Sequence, residues 1–469
     1  MAAEEFPVEV GVIFEGQRIR KEEMQVEFGG PKIDRKFELV RVLPPEEVED
    51  RKVETDGPDL PELKEGGSYR LGIFIKVAGE KLERDLESVL ERRIHAYTNY
   101  IDGIMHLNQR YDIWIRIGKK QFKKGLNTLQ WWGKALIRLF KSELPVIEKM
   151  QVIFITDQEK VSKMWEEAIK IYKARDIRTR TITDEEVDTF YGCILCESFA
   201  PAHVCIITPN RVSLCGAITW FDARAAAKVD PKGPNFAVPK GELIDPIRGE
   251  YTGANEVVQK RSMGQNQRFY LYSMFGYPHT SCGCFEAIAF YIPEVNGIGV
   301  VHRDFKGATV NGLPFSTMAP QASGGIQTEG FLGVGIEYFY SPKFFQADGG
   351  WNRIVWMPKA LKERIKDAVP THLYDKIATE EDVGNVEELK QFIVEKGHPL
   401  AKYVVVEAPA EEAAVEAPPT EAVPATVSTA VPETAVIPGL PAGNMKIVLN
   451  FEGVKLKAGR IIIRQKPSK

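Results

Sequence analysis

Residues 150–172, MQVIFITDQEKVSKMWEEAIKIY, join an apolar run to an amphipathic segment. The run MQVIFI predicts a buried strand, and the capping box from Thr156 to Glu159 predicts the start of a helix. Residues 178–182, RTRTI, predict a further short strand, and a second capping box, from Thr183 to Glu186, predicts another helix. Because strands and helices alternate here, we expect an α/β domain containing a βαβ unit.

The chain before residue 150 shows a different pattern. Short apolar runs such as VEVGVIF and FELVRVL predict strands, whereas residues 81–105 repeat apolar positions at the period of a helix. A second helix is predicted near residues 121–140. The fold class we expect is therefore mixed α/β and α+β with two globular domains, an α+β domain at 1–149 and an α/β domain at 150–406.

The C-terminal part changes composition sharply. Residues 407–443 are rich in Ala, Pro, Val, Thr and Glu and contain no Lys or Arg, which predicts a disordered linker. Residues 444–469 alternate apolar and polar side chains around a central Glu-Gly and predict a small β-hairpin. Since a lone hairpin is only marginally stable, we expect it to dock on another surface.

The overall composition is that of a globular protein. The chain has 469 residues, of which 44% are hydrophobic and 27% charged, and its formal net charge is -4. This balance gives no indication of a nucleic-acid or anionic-membrane partner. The acidic N-terminus does not resemble a signal peptide, and no apolar run reaches the ~18 residues that a membrane helix requires. We expect a cytoplasmic protein.

The six cysteines fall into two groups. Four of them follow the spacing Cys-x2-Cys-x8-Cys-x9-Cys from Cys193 to Cys215, and the other two form Cys282-Gly283-Cys284. In a reducing compartment, clustered thiols indicate metal binding or catalysis rather than disulfides. The quartet could bind zinc or a [4Fe-4S] cluster, and its single tight pair within apolar segments favours the cluster.

The Cys-Gly-Cys triplet has a chemistry of its own. The thiolates of Cys282 and Cys284, with the amide nitrogens of Gly283 and Cys284, can provide two sulfur and two nitrogen donors in one plane. Such a planar set selects Ni(II) or Cu(II). Glycine in the middle adds no side chain that would crowd a neighbouring metal. The alternative is an accidental Cys-Gly-Cys in a turn, which the nearby quartet disfavours.

Together, CILCESFAP at residues 193–201 and SCGC at residues 281–284 resemble the A-cluster motif of acetyl-CoA synthases. Over about residues 1–405, the chain is most similar to β subunits of archaeal-type acetyl-CoA decarbonylase/synthase complexes. The resemblance implies a [4Fe-4S] cluster held by the cysteine quartet, whose members are Cys193, Cys196, Cys205 and Cys215. It further implies two nickel ions: a proximal one bound by Cys196, Cys282 and Cys284, and a distal one in the planar site at residues 282–284. Phe199 would pack over the proximal nickel.

The resemblance also implies an activity. It is that of an acyltransferase that reversibly joins CO, a methyl group from a corrinoid iron–sulfur protein, and coenzyme A. Carbon monoxide dehydrogenase subunits would be further partners. Two other functions remain open: a [4Fe-4S] electron-transfer subunit without acyl chemistry, and a hydrolase in which a planar N2S2 metal activates water.

The segment QRYDIWIR, residues 109–116, is a candidate coenzyme A contact. Trp114 could stack on the adenine, and Arg110 and Arg116 could pair with phosphates. A strand with alternating faces is the alternative. We expect His203 and His279, although they lie near cysteines, to be packed or solvated, and we expect Arg303 and Lys306 to be solvated.

Overall fold

The structure, a computed structural model, describes residues 5–197 and 200–404. Phe199, the predicted linker and the predicted hairpin therefore lie outside the described residues. The strands are β1 Met24–Gly29, β2 Phe37–Val42, β3 Val53–Asp56, β4 Gly67–Tyr69, β5 Gly72–Ala78, β6 Ile104–Gln109, β7 Asp112–Gly118, β8 Lys149–Ile155, β9 Thr189–Cys193, β10 Cys205–Ile207, β11 Asn235–Pro239, β12 Leu243–Asp245, β13 Glu250–Tyr251, β14 Ala287–Ile292, β15 Gly297–His302, β16 Phe331–Val334 and β17 Ile354–Trp356. The helices are α1 Glu87–Thr98, α2 Lys119–Lys124, α3 Leu129–Glu143, α4 Gln158–Arg178, α5 Trp220–Val229, α6 Thr252–Arg261, α7 Phe315–Met318, α8 Lys359–Arg364, α9 Thr371–Tyr374 and α10 Val386–Glu395. Within the part of the chain that the structure describes, none of these helices has the length and apolar character that a membrane span requires.

Several sheets organise the molecule, and the mixed α/β class is confirmed. Two four-stranded sheets, with strand orders β4-β1-β7-β6 and β2-β5-β8-β3, come from the first part of the chain. The later part adds an antiparallel sheet, β10-β9-β11, a four-stranded sheet, β16-β14-β15-β17, and the ribbon β12-β13. Parallel and antiparallel pairs occur together in each four-stranded sheet.

The predicted strand at MQVIFI and the helix after it are confirmed as β8 and α4. The helix is capped by Asp157, whose side chain accepts the N–H groups of Glu159 and Lys160, rather than by Thr156. The prediction of a strand at residues 178–182 is wrong, because the chain there forms a 3-10 turn at Thr179–Thr181. Salt bridges from the two arginines of this segment, one to Asp85 and one to Glu337, anchor the turn.

The predicted βαβ unit is also wrong. The second capping box does form, but it opens only the 3-10 turn Asp184–Glu186, and β9 follows. Strand β8 instead lies between β5, to which it is antiparallel, and β3, to which it is parallel. This pairing joins residues on both sides of position 149 in one sheet, and one hydrophobic core extends from Val8 to Leu400. The division into domains at 1–149 and 150–406 stays a prediction.

Helix α1 is shorter than the periodicity of residues 81–105 predicts. It ends at Thr98, and the chain then reverses into β6. Asn99 closes this reversal, because its side chain accepts the N–H of His106 and donates to the carbonyl oxygen of the same residue. The helix predicted at residues 121–140 is divided into α2 and α3 by Gly125, which caps α2 at a φ of +119°.

Candidate metal centre

Two cysteines of the quartet lie opposite each other on paired strands. Cys193 ends β9 and Cys205 begins β10, and the antiparallel register places the two residues as direct partners. Both side chains are buried. All three residues of β10, Cys205–Ile207, are buried. Because directly opposite residues in an antiparallel pair are close neighbours, strand register alone brings these two ligands together.

The other two members of the quartet lie in turns next to these strands. Cys196 follows β9 in a turn in which the N–H of Glu197 bonds to the carbonyl oxygen of Ile194 at 2.9 Å. Cys215 follows β10, and its Sγ lies 3.4 Å from the Ser213 hydroxyl oxygen. After it, Gly216 has a φ of +70°, and a Cβ there would lie 2.2 Å from a carboxylate oxygen of Glu286. Only glycine fits this position, next to a ligand.

The Cys-Gly-Cys triplet forms a loop between α6 and β14. Gly283 has a φ of +114°, in the region that favours glycine. In the structure, the Gly283 N–H donates to the Ser281 hydroxyl at 3.1 Å, and the Cys284 N–H to the Cys282 Sγ at 3.3 Å. In the planar chelate expected from the sequence, both amides would have to lose the protons that they donate here, so neither hydrogen bond would remain.

Three thiols from the two groups converge. The Sγ atoms of Cys196, Cys282 and Cys284 all lie within 4.8 Å of one another, and those of Cys196 and Cys284 are 3.9 Å apart. Sulfur ligands at about 2.3 Å from one ion are roughly 4 Å apart, so this arrangement fits three ligands of a single metal ion. None of the six cysteines, all of which are described, forms a disulfide.

The electrostatics of the thiols also fit a metal centre. Burial, reinforced by the nearby Cys196 and Cys215, raises the pKa of the Cys193 thiol to about 12. Burial likewise raises the pKa of Cys205 well above its usual value. Metals bind the thiolate form, so bound cations would offset the cost of holding these buried sulfurs in their charged state.

Two buried histidines connect the two groups of cysteines. His279 accepts the N–H of Ile206, on β10, at 3.1 Å and donates to the carbonyl oxygen of Thr280 at 2.7 Å. His203 bonds to the Thr280 hydroxyl at 2.9 Å. Of the two expected states, packed or solvated, the structure shows the packed one, since each histidine is buried and burial lowers the pKa of both. Their contacts hold the segment before Cys282 against the strand that carries Cys205.

The sequence reasoning missed Arg92, on α1. Its Nη2 donates to the Sγ of Cys196 at 3.0 Å, and the side chain is buried. The pKa of the Cys284 thiol is lowered by hydrogen bonds from Cys196 and Cys282, and the charge of Arg92 adds to this effect. No sequence motif marks Arg92, because 104 residues separate it from Cys196.

A cavity of about 410 Å³ extends to the triplet. Trp114 and all three residues of the Cys282–Cys284 loop line it, together with four cationic and two acidic residues: Arg18, Arg92, Arg303, Lys306, Asp112 and Asp304. Among the described residues, no carboxylate lies within salt-bridge distance of Arg18, Arg303 or Lys306. The sequence reasoning gave Arg303 and Lys306 only a solvated role, and it missed Arg18.

Neither of the two arginines predicted beside Trp114 lines this cavity. Arg110 is buried, and it donates to the carbonyl oxygen of Ala217 and forms a salt bridge with Asp176. It lines a second cavity, of about 550 Å³, which reaches Cys215. Arg116 is paired with Glu27 at 2.7 Å and stacks over the ring of Trp114.

Comparisons with known proteins agree with the motif. Residues 6–161 match the family model described as CO dehydrogenase/acetyl-CoA synthase complex beta subunit, and residues 172–406 match the model for the C-terminal region of the ACS/CODH beta subunit. The chain is 58% identical over 404 residues to acetyl-CoA decarbonylase/synthase complex subunit beta 2 of Methanosarcina thermophila, covering 86% of this chain and 85% of that protein. It is 57% identical over 402 residues to the subunit beta of Archaeoglobus fulgidus, covering 86% of this chain and 76% of that protein. The family resemblance predicted from the cysteine motifs is thus confirmed, and the chain belongs to the β-subunit family of the CO dehydrogenase/acetyl-CoA synthase complex.

Proposed function

We propose that this chain is the catalytic subunit that reversibly assembles acetyl-CoA from CO, a methyl group and coenzyme A. The observation that carries the proposal is the convergence of the Cys196, Cys282 and Cys284 sulfurs within 4.8 Å, although 86 residues separate Cys196 from Cys282. When bound, two nickel ions and a [4Fe-4S] cluster would supply an electron-rich metal with an open position for carbon–carbon and carbon–sulfur bond formation.

The six cysteines would hold this centre. Cys193, Cys196, Cys205 and Cys215 would bind the cluster, and Cys196 would be shared with the proximal nickel. Cys282 and Cys284 would bind both nickel ions, and the amide nitrogens of Gly283 and Cys284 would complete the planar distal site. Phe199 is proposed to pack over the proximal nickel, on the resemblance alone.

The cavity beside the triplet would bind coenzyme A. Trp114, which carries Arg116 over its ring, lines this cavity and would contact the adenine, and the cations Arg18, Arg303 and Lys306 would contact the phosphates. We therefore propose these three cations for the phosphate role that the sequence gave to Arg110 and Arg116, since the latter two are already paired with carboxylates. The thiol of coenzyme A would approach the triplet from this cavity.

We further propose that the chain works in the cytoplasm within a complex that contains carbon monoxide dehydrogenase subunits and receives the methyl group from a corrinoid iron–sulfur protein. The names of the relatives support a complex, because each is a subunit of an acetyl-CoA decarbonylase/synthase complex. The thiol state of all six cysteines fits a reducing compartment.

The test combines metal analysis with an exchange assay on the active full-length protein. We expect about four iron and two nickel per chain, together with exchange of CO into the carbonyl position of acetyl-CoA. Four iron without nickel and without exchange would instead identify an electron-transfer protein. A single metal at the triplet without iron would identify the hydrolase alternative.

A further inference from the structure

Arg92 is a buried cation without a carboxylate partner. Its side chain is 2% exposed, yet among the described residues no Asp or Glu lies within salt-bridge distance of it. The buried Arg110 and the mostly buried Arg175 differ in this respect, because each is paired with carboxylates. Since an isolated buried charge is costly, an anionic group bound next to Arg92 would stabilise its guanidinium.

The groups next to Arg92 are cysteine sulfurs. Nη2 donates to the Cys196 Sγ at 3.0 Å, and the sulfurs of Cys284 and Cys215 also lie close enough to interact electrostatically with the guanidinium. These three cysteines come from both motifs. The second terminal nitrogen, Nη1, is buried and has no hydrogen-bond partner among residues 5–197 and 200–404. One donor of the guanidinium is therefore available to a further acceptor.

Helix α1 fixes the position of this guanidinium. One residue earlier, Glu91 is held by Arg175 at 2.9 Å and by the N–H of Val40 at 3.0 Å. Three residues later, His95 bonds to the carbonyl oxygen of Asn108. These buried contacts on both sides mean that Arg92 is presented from a rigid element, as outer partners of metal ligands usually are.

We propose that Arg92 is the positioning cation of the metal centre: it holds Cys196 by the Nη2 hydrogen bond, offers Nη1 to a sulfur of the bound centre, and favours the reduced state of the cluster. The inference rests on the proposed function, because it requires a redox-active centre at these cysteines. A fixed positive charge and N–H donors next to cluster sulfurs stabilise the added electron. Arg92 lies outside both cysteine motifs.

The test uses full-length Arg92→Gln and Arg92→Lys proteins, with Arg93→Gln as the matched control. Arg93 lies on the same helix, and its guanidinium contacts the hydroxyl and ring of Tyr97. The readouts are iron and nickel content and the midpoint potential of the cluster, measured by reductive titration with electron paramagnetic resonance. In Arg92→Gln we expect the ratio of reduced to oxidised cluster at a given potential to fall about tenfold, which is ~59 mV for one electron.

The other variants sharpen the result. Arg92→Lys keeps the positive charge, so we expect the midpoint potential of the cluster to stay nearer that of the unmodified protein. Arg93→Gln should leave this midpoint potential unchanged. Loss of iron in Arg92→Gln but not in Arg92→Lys would also support the proposal. An unchanged potential in a fully loaded Arg92→Gln protein would overturn it, as would an equal loss of iron in both Arg92 variants. Absence of iron and nickel from the unmodified protein would instead overturn the proposed function.

Discussion

The two cysteine groups are held in different ways. Cys193 and Cys205 lie on paired strands in the middle and at the edge of a sheet, where register fixes their separation. Cys282 and Cys284 lie on a loop that depends on a glycine at positive φ and on two histidine hydrogen bonds that join the loop to residues 203–206. The loop also borders a cavity, whereas Cys193 and Cys205 are buried and line neither of the two cavities described above. The strand-held half is therefore suited to hold a cluster away from solvent, whereas the loop-held half is suited to meet substrates.

The largest expected effect is the loss of a different metal when a cysteine of each half is replaced. Cys284→Ser should lose nickel and acetyl transfer but keep a spectroscopically visible cluster, because the quartet remains intact. Cys193→Ser, the matched change on the strand, should lose the cluster. Metal analysis, electron paramagnetic resonance and the exchange assay measure both. Acetyl-CoA assembly by the Cys284→Ser protein would show that the ligand assignment is wrong.

Gly283→Ala tests the loop backbone itself. A side chain at a φ of +114° is strained, and its Cβ would lie 3.3 Å from the Cβ of Ser323. We expect most of the nickel to be lost while iron is retained, with a stability cost of about 1–2 kcal/mol. Gly264→Ala is the control, since Gly264 has a φ of +81° and no neighbour within 4 Å of an added Cβ. Equal nickel loss in both variants would mean that backbone strain alone, and not the site, is responsible.

His279→Gln tests the connection between the two halves. His279 and His398 are matched, because each is buried and uses both ring nitrogens on backbone groups. Both Gln variants should lower the free energy of unfolding by about 1–3 kcal/mol. Only His279→Gln should weaken nickel binding, because only His279 joins the segment before Cys282 to β10. Chemical denaturation and nickel titration measure the two effects, and normal nickel affinity in His279→Gln would contradict the bridging role.

Trp114→Ala tests the cavity on the loop-held side, and its expected effect is the smallest. If the adenine stacks on Trp114, the KM for coenzyme A should rise about 10-fold, since base–aromatic stacking contributes roughly 1–3 kcal/mol. The nickel and iron contents should not change. Trp131→Ala is the control, because Trp131 packs against Phe6 and Lys134 outside this cavity. An unchanged KM in Trp114→Ala would remove Trp114 from the coenzyme A site.

Local patterns predicted part of the fold correctly. The strand β8 and the helix α4 follow from an apolar run and an amphipathic period, which are properties of neighbouring residues. The prediction of a strand at residues 178–182 was wrong because salt bridges to Asp85 and Glu337 hold that segment in a turn. Those partners are 93 and 157 residues away from their arginines, so no local window contains them.

By itself, the sequence determined which residues can bind metal, because the type and spacing of the six cysteines restrict the chemistry to soft-metal ligation. It also indicated the family, through two short motifs. Only the tertiary structure decided that Cys196 meets Cys282 and Cys284, that Arg92 lies against their sulfurs, and that Trp114 shares a cavity with them while Arg110 does not. The physical reason is that ligand chemistry is a property of the individual side chain. These contacts depend instead on the packing of sheets and helices that are far apart in the chain.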